Sequence, residues 1–160
     1  MKKIILSLLL IPTLGFAQLT YQDLKYLADN TPNKSIEYIK QKGYVLERSK
    51  NSENHSAIAF QKLNKYKNDI DSFVNLIFIN DKKNFVGYIT FLKITSDNIV
   101  KTIEKLGYTL SGSKYNNNEI CNLYESTNYV FEICEKNYSE DYIPRLSYYL
   151  TLESKSNYID

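Results

Sequence analysis

Two stretches of the chain carry the same pattern of apolar and polar positions. Residues 33–50 and 97–114 align without a gap at a constant offset of 64, so that Gly43 meets Gly107. A self-match of this length is typical of a duplicated structural unit. We therefore predict that the fold contains two copies of one unit, and the pattern within each copy indicates the order of its elements.

Each copy begins with apolar residues at spacings of three and four and continues with apolar residues at alternate positions. The first pattern predicts an amphipathic helix, and the second predicts a strand with one buried face. Gly43 and Gly107 stand between the two patterns, where a helix can end because glycine adopts a left-handed backbone without steric cost. Thr31 and Pro32 suit the N-cap and the first helical position of the first copy. The predicted unit is a helix, a glycine stop and a strand that turns back onto the helix.

Further apolar segments, separated by polar turns, complete each copy as a run of strands. In the first copy, which spans 31–94, strands are predicted at 44–50, 56–63, 72–79 and 85–93. In the second copy, which spans 95–158, a helix at 96–106 precedes strands at 108–114, 118–125, 129–136 and 146–153. An additional helix is predicted at 20–30. The predicted fold class is α+β, with two tandem helix-plus-four-strand repeats forming an antiparallel sheet that carries its helices on one face.

The N-terminal residues 1–17 have the composition of a secretory signal peptide. They combine Lys2 and Lys3 with an apolar run at 4–11 and a small-residue ending at Ala17. The apolar run is far shorter than the ~20 residues that a membrane-spanning helix requires. We therefore predict cleavage after Ala17, a single domain at 18–160 without a membrane segment, and a periplasmic or secreted location. The ending and the bias toward Lys, Asn, Ile and Tyr resemble exported proteins of AT-rich Gram-negative bacteria.

The charge balance argues against nucleic acid as a partner. The formal net charge is +2, and it falls to zero when Lys2 and Lys3 leave with the signal peptide. The remaining basic residues are scattered among acidic neighbours, as on an ordinary solvated surface. Binding to nucleic acid depends on a concentrated positive field, which this sequence lacks.

The two cysteines, Cys121 and Cys134, are predicted to form a disulfide. A hairpin that turns on Thr127 and Asn128 places them directly opposite each other, at a non-hydrogen-bonded position where Cα atoms are about 4.5 Å apart. Disulfides persist in exported proteins, which supports the pairing, although free thiols remain the alternative. A redox or metal site is disfavoured because the chain has no Cys-x-x-Cys motif and only one histidine.

Catalytic, cofactor and metal motifs are absent from the sequence. His55, the single histidine, lies in a polar turn whose serine and glutamate neighbours are ordinary turn formers. The chain has no Gly-x-Ser-x-Gly, phosphate-loop or dinucleotide-binding motif. The acidic segment 139–141 lacks the alternating oxygen ligands of a calcium loop and is interpreted as a solvated connection between strands. The sequence therefore predicts a protein that is not an enzyme and holds no cofactor.

Tyrosine is the residue type that suggests a binding surface, since the chain has 15 tyrosines and no tryptophan. In the last strand of each repeat, the residues expected to face the helices are Phe85, Ile89, Phe91, Leu146, Leu150 and Leu152. The residues expected on the opposite face, which we predict as candidate partner-binding residues, are Tyr88, Thr90, Tyr149 and Thr151. Tyrosine offers rigid contact area with a hydrogen-bonding tip. Strand propensity alone also favours Tyr and Thr at these positions, so both interpretations stay open.

The export signal, the tandem helix-plus-four-strand order and the absence of a catalytic set resemble the layout of the beta-lactamase inhibitor protein family. The resemblance covers most of residues 18–160 at the level of element order, and no family motif transfers residue by residue. It implies a concave sheet that binds an enzyme. We therefore expect an exported protein that recognises a protein partner, as an inhibitor or a toxin-immunity protein does. The alternative is a small-ligand or envelope-lipid binder that uses a cavity between the helices and the sheet.

Overall fold

The computed structural model describes residues 18–52, 54–64, 69–79, 83–116, 119–140 and 143–155, and the predicted signal peptide at 1–17 lies outside them. The described residues form three α-helices, namely α1 (Tyr21–Asp29), α2 (Pro32–Gln41) and α3 (Lys93–Lys105). The strands are β1 (Val45–Asn51), β2 (His55–Asn64), β3 (Asp69–Ile79), β4 (Lys83–Thr90), β5 (Thr109–Asn116), β6 (Glu119–Glu125), β7 (Tyr129–Glu140) and β8 (Ile143–Ser154). This combination of elements agrees with the predicted α+β class.

The strands form one eight-stranded antiparallel sheet with the order β1-β2-β3-β4-β8-β7-β6-β5. Each half of the chain contributes a run of four neighbouring strands. The last strands of the two runs, β4 and β8, pair with each other at the centre of the sheet. The first strands of the two runs, β1 and β5, are therefore the two edges.

Glycines end α2 and α3 in the same way. Gly43 and Gly107 have φ angles of 84° and 86°, in the left-handed region where a side chain is strained. In both places the tyrosine that follows donates its backbone N–H back to the last helical turn. The next strands, β1 and β5, each contain a register shift, after Leu46 and after Leu110 respectively. The predicted order of helix, glycine and strand is thus present in both halves.

Some predicted boundaries differ from the structure. Thr31 is the N-cap of α2, but its side chain makes no capping hydrogen bond. Helix α3 begins at Lys93, before the predicted start at 96, because β4 already ends at Thr90. The hydroxyl of Thr90 accepts a 3.2 Å hydrogen bond from the backbone N–H of Leu92, which turns the chain out of the strand. The acidic segment is also different, since its first two residues belong to β7 and Asp141 lies outside the described residues.

The helices cover one face of the sheet over its central strands and bury the core there. The helices contribute the buried side chains Leu24, Leu27, Ile39, Ile99 and Ile103. The sheet contributes buried side chains that alternate along the strands, among them Phe60, Val74, Leu76, Phe78, Val86, Tyr88, Phe131, Leu150 and Leu152. A fully buried large apolar side chain stabilises a fold by about 1.5 to 3 kcal/mol. Across the described part of the chain, none of the helices is long and apolar enough to span a bilayer.

A buried carboxylate joins the first two helices. Asp23, in the first turn of α1, accepts hydrogen bonds of 2.7 Å from both the backbone N–H and the hydroxyl of Thr20. Tyr38 of α2 donates its hydroxyl to the same carboxylate, and Lys42 Nζ lies 2.7 Å from it. Burial alone raises the pKa of Asp23, but the hydrogen bonds from Lys42, Tyr38 and Thr20 outweigh burial and hold the pKa below its usual value.

We expect Asp23→Asn to lower the unfolding free energy by about 1 to 2 kcal/mol at neutral pH, because it removes the charge that these donors surround. The folded-state pKa lies below the unfolded-state value of about 3.9. The stabilisation is therefore complete above about pH 5 and is lost as the pH falls through the folded-state pKa. Urea unfolding between about pH 7 and about pH 2 measures this, and the curves of the variant and the wild type should converge at the acidic end.

The matched control for this experiment is Asp97→Asn, which removes an exposed carboxylate that pairs with Lys93. Exposed ion pairs contribute little to stability, so this control should leave the pH profile nearly unchanged. If the unfolding free energies of Asp23→Asn and the wild type differed by the same amount down to about pH 2, the charge of Asp23 would not be the source of the stabilisation.

Candidate functional site

No described helix packs on the second face of the sheet, which we call the open face. The strand register arranges its side chains in rows that cross the strands. The central row consists of Arg48, Ala59, Asn75, Gly87, Thr151 and Glu132. The row on one side consists of Lys50, Ala57, Ile77, Phe85 and Glu153. The row on the other side consists of Gln61, Phe73, Ile89, Tyr149 and Cys134.

A groove follows the central row, because the small residues of that row lie between the larger residues of its neighbours. We call this groove the trough. Its floor is formed by Ala59, Asn75, Gly87 and Thr151, and its walls are formed by Ile77, Phe85, Ile89 and Tyr149. It has a volume of about 440 Å³ and extends from β1 to β8. An apolar wall with a few polar groups on the floor is the usual composition of a binding site.

Gly87 is the residue that creates the trough. It lies in the central strand β4, where glycine costs about 0.5 to 1 kcal/mol relative to alanine. Its backbone does not require glycine, since its φ lies outside the left-handed region. A Cβ atom at this position would be 3.6 Å from the Cβ of Asn75, which is an ordinary van der Waals distance. A strand glycine that neither conformation nor internal packing requires is typical of a place where a ligand or another backbone approaches closely.

Gly87 was not predicted from the sequence, although a signal for it exists. It is flanked by Phe85, Val86, Tyr88 and Ile89, so it interrupts a run of large residues. An isolated glycine within a strand pattern indicates a bulge or a close approach. The pairing of β4 with both of its neighbours is regular through Gly87, which leaves the close approach as the interpretation.

The prediction that Tyr88 and Thr90 face a partner is wrong. Both side chains point toward the helices and are 0% exposed. Tyr88 donates its hydroxyl to Oε1 of Gln18, and Thr90 donates to the same atom at 3.3 Å. Burial raises the pKa of Tyr88 to about 12, so the phenol stays neutral. These two residues belong to the core and hold Gln18 against β4.

The orientation of the whole strand is reversed relative to the prediction. Phe85 and Ile89 lie on the open face as walls of the trough, although the sequence predicts them in the core. Phe91, which is also predicted in the core, packs edge-on against Phe73 of the open face with ring centroids 6.5 Å apart. The physical reason is that Tyr88 and Thr90 can be buried without leaving a hydroxyl unpaired. Gln18 accepts hydrogen bonds from both hydroxyls.

Strand β8 has the predicted orientation. Tyr149 and Thr151 lie half-buried on the open face, where they line the trough, and Leu150 and Leu152 are fully buried on the other side. Leu146, which the sequence also places in the core, is 39% exposed because it lies toward the β7–β8 turn, beyond the buried centre of the strand. A role of Tyr149 and Thr151 in binding a partner stays a prediction.

The disulfide joins Cys121 of β6 to Cys134 of β7, in the predicted register. The Cα atoms are 4.0 Å apart, and both residues are buried. Cys134 lies opposite Tyr149 of β8, so the disulfide is adjacent to a wall of the trough. A carboxylate oxygen of Glu119 lies within 4.8 Å of the sulfurs, but oxidised cysteines offer no thiolate to a metal ion.

The second half of the open face neutralises its own charges. Three ion pairs connect its strands and the residue that follows β8, namely Lys114–Glu132 at 2.9 Å, Lys155–Glu125 at 2.8 Å, and Lys136–Glu119. The first half differs, since the charged residues that its rows contain are Arg48 and Lys50, both exposed on β1. The trough therefore extends from a cationic end at β1 toward a region where Glu119, Glu125 and Glu132 already have lysine partners.

His55, which the sequence places in a polar turn, is the first residue of β2 and is exposed. Its backbone carbonyl accepts a 2.8 Å hydrogen bond from the backbone N–H of Ser52 and a 3.2 Å hydrogen bond from the Ser52 hydroxyl. These bonds close the turn between β1 and β2. Ser52 and His55 therefore have a structural role in this turn.

No protein-family model, curated protein or solved structure matches this chain. The geometry and chemistry of the open face are therefore the observations that bear on its function.

Proposed function

We propose that this protein is an exported, non-enzymatic binding protein that recognises another protein through the trough and the open face around it. The two forms of this function that we consider are an inhibitor of an envelope enzyme and an immunity protein that neutralises a toxin. Both follow from the resemblance of the element order to the beta-lactamase inhibitor protein family, which binds an enzyme on a concave sheet. The observation that carries the proposal is Gly87, a glycine that leaves a groove open at the centre of an uncovered sheet.

The dimensions of the open face favour a protein over a small molecule. Eight strands at a spacing of about 4.8 Å give a face about 34 Å wide, which can supply the roughly 800 Å² per partner of a standard protein interface. A small-ligand or lipid binder, the alternative, needs a cavity between the helices and the sheet. The described helix side of the sheet is instead occupied by one continuous cluster of buried side chains. The trough is a shallow groove rather than a closed cavity, and it suits a protruding part of a partner.

Export and duplication are further parts of the proposal. The buried disulfide suits an oxidising compartment, which supports export to the periplasm or beyond. We also propose that the two halves are copies of one helix-plus-four-strand unit. The glycine stops at Gly43 and Gly107 support this, and so do the register shifts after Leu46 and Leu110, since both pairs are separated by the same offset of 64.

Gly87→Leu tests the proposal, because a leucine side chain fills the trough from its floor. The wild type and the variant serve as immobilised baits in an envelope extract of the source organism. We expect one protein to be retained by the wild type and lost with Gly87→Leu. Once that protein is purified, calorimetry should give an affinity for Gly87→Leu that is lower by about tenfold or more.

Two matched variants separate the trough from general effects of the substitution. Gly112→Leu makes the same change on the edge strand β5, where the central row continues beyond Glu132 through Leu123 to Gly112, outside the trough, and it should keep the partner. Gly87→Ala adds one methyl group at an ordinary contact distance and should also retain most of the binding. A protein retained equally by Gly87→Leu and by the wild type would overturn the proposed use of the trough.

A further inference from the structure

The trough has one end with unbalanced positive charge. Arg48 and Lys50 of β1 stand exposed at the start of the central row and of one flanking row. Along these two rows, no described carboxylate occurs until β8 and β7, where Glu153 and Glu132 lie. Glu47 occupies the register shift of β1 and belongs to neither row. The two cations therefore face the apolar walls of the trough without an acidic residue between them.

The other end of the trough is different, because its carboxylate is already engaged. Glu132 pairs with Lys114 across the open face, and the neighbouring acidic groups of β6 have lysine partners as well. Among the described residues, neither Arg48 nor Lys50 has such a partner. Of the charged residues in the rows that form the trough, Arg48 and Lys50 are therefore the ones placed to attract a ligand electrostatically, and they favour a ligand that is negatively charged at β1.

We propose that the trough receives a partner segment that brings an apolar side chain to Gly87 and carboxylates to Arg48 and Lys50. This inference rests on the proposed function and adds the chemistry of the partner. Three strand spacings separate Gly87 from Arg48, about 14 Å, which an extended segment spans in about four residues. The guanidinium of Arg48 can hold a carboxylate through two parallel hydrogen bonds, and Lys50 adds a second charge one row away. A basic partner segment is repelled at the same place, which gives the site its specificity.

A phage-displayed library of random dodecapeptides, selected on the purified protein, tests this inference. We expect enriched peptides to carry an apolar or aromatic residue with Asp or Glu about three or four positions away. Synthetic peptides of the selected sequences should bind the double variant Arg48→Glu/Lys50→Glu about tenfold more weakly or worse, and their affinity for the wild type should fall with added salt. The control is Lys101→Glu/Lys105→Glu, the same charge change on the exposed side of α3, which should leave the affinity unchanged.

The outcomes distinguish this inference from the proposed function. Peptides that lose binding to Gly87→Leu but show no acidic preference would overturn the inference and leave the trough as a protein-binding site. Selected peptides whose affinity is the same for Gly87→Leu and for the wild type would overturn both.

Phosphatidylglycerol vesicles are the second probe. If no peptide is enriched and the vesicles bind only when Arg48 and Lys50 are present, the trough is assigned to an anionic lipid instead. If a second copy of the chain occupied the trough, sedimentation would show a dimer, and Gly87→Leu would dissociate it. This result would also overturn the inference.

Discussion

Tyr88→Ala is expected to lower the unfolding free energy by about 3 to 5 kcal/mol, a large part of the total stability of a domain of this size. Tyr88 is fully buried in the central strand β4, so its removal leaves a cavity where the helices pack on the sheet. The substitution also removes the hydroxyl that donates to Gln18. Urea unfolding followed by circular dichroism measures the change. If the slope of the unfolding free energy against urea concentration is unaltered, the transition has stayed cooperative.

The matched control is Tyr149→Ala, which removes the same side chain from the opposite face of the neighbouring strand. Tyr149 pairs across β4 and β8 with Ile89 and is only half-buried, so we expect a loss within about 1 kcal/mol. The two variants should also differ in binding, since the Tyr149 side chain forms a wall of the trough, whereas the Tyr88 side chain is fully buried on the opposite face of the sheet. A Tyr88→Ala protein as stable as Tyr149→Ala would mean that β4 presents Tyr88 to solvent, and the trough would not exist in the form described.

The contrast between these tyrosines shows where sequence patterns lose their predictive power. In β8, Leu150 and Leu152 alternate with Tyr149 and Thr151, and the more apolar set is the buried one, as predicted. In β4 both alternating sets contain large apolar or aromatic residues, so hydrophobicity does not clearly distinguish the two faces. The orientation is decided by groups distant in sequence, because Gln18 satisfies the polar atoms of the buried set. A long-range hydrogen bond of this kind leaves no local periodicity that could have indicated it.

Features that depend only on residues close together in the sequence were predicted more successfully than features that depend on the whole fold. The glycine stops at Gly43 and Gly107 require a left-handed backbone, which is a property of the residue itself. The opposition of Cys121 and Cys134 follows from counting residues outward from a short hairpin turn, without reference to the rest of the fold. The trough could not be predicted in the same way, since it requires knowing that β4 pairs with β8 and which side of both strands the helices cover.

Removal of the disulfide by Cys121→Ala/Cys134→Ala is expected to lower the unfolding free energy by about 2 to 3 kcal/mol. The cysteines are 13 residues apart, and closing a loop of that length in the unfolded chain accounts for a loss of this size in the chain-entropy model. The folded sheet should change little, because β6 and β7 keep their other cross-strand partners and the hairpin between them. Urea unfolding of the oxidised protein, the reduced protein and the double variant measures the effect.

Reduction supplies the internal control, since it breaks the same bond without altering the sequence. The reduced wild type and the double variant should unfold at similar urea concentrations, and added reductant should not change the double variant at all. Amide exchange should rise most in β5, β6 and β7, because the disulfide connects β6, which holds the edge strand β5, to β7, which pairs with β8. Equal stability of the oxidised and reduced proteins would contradict the expected contribution.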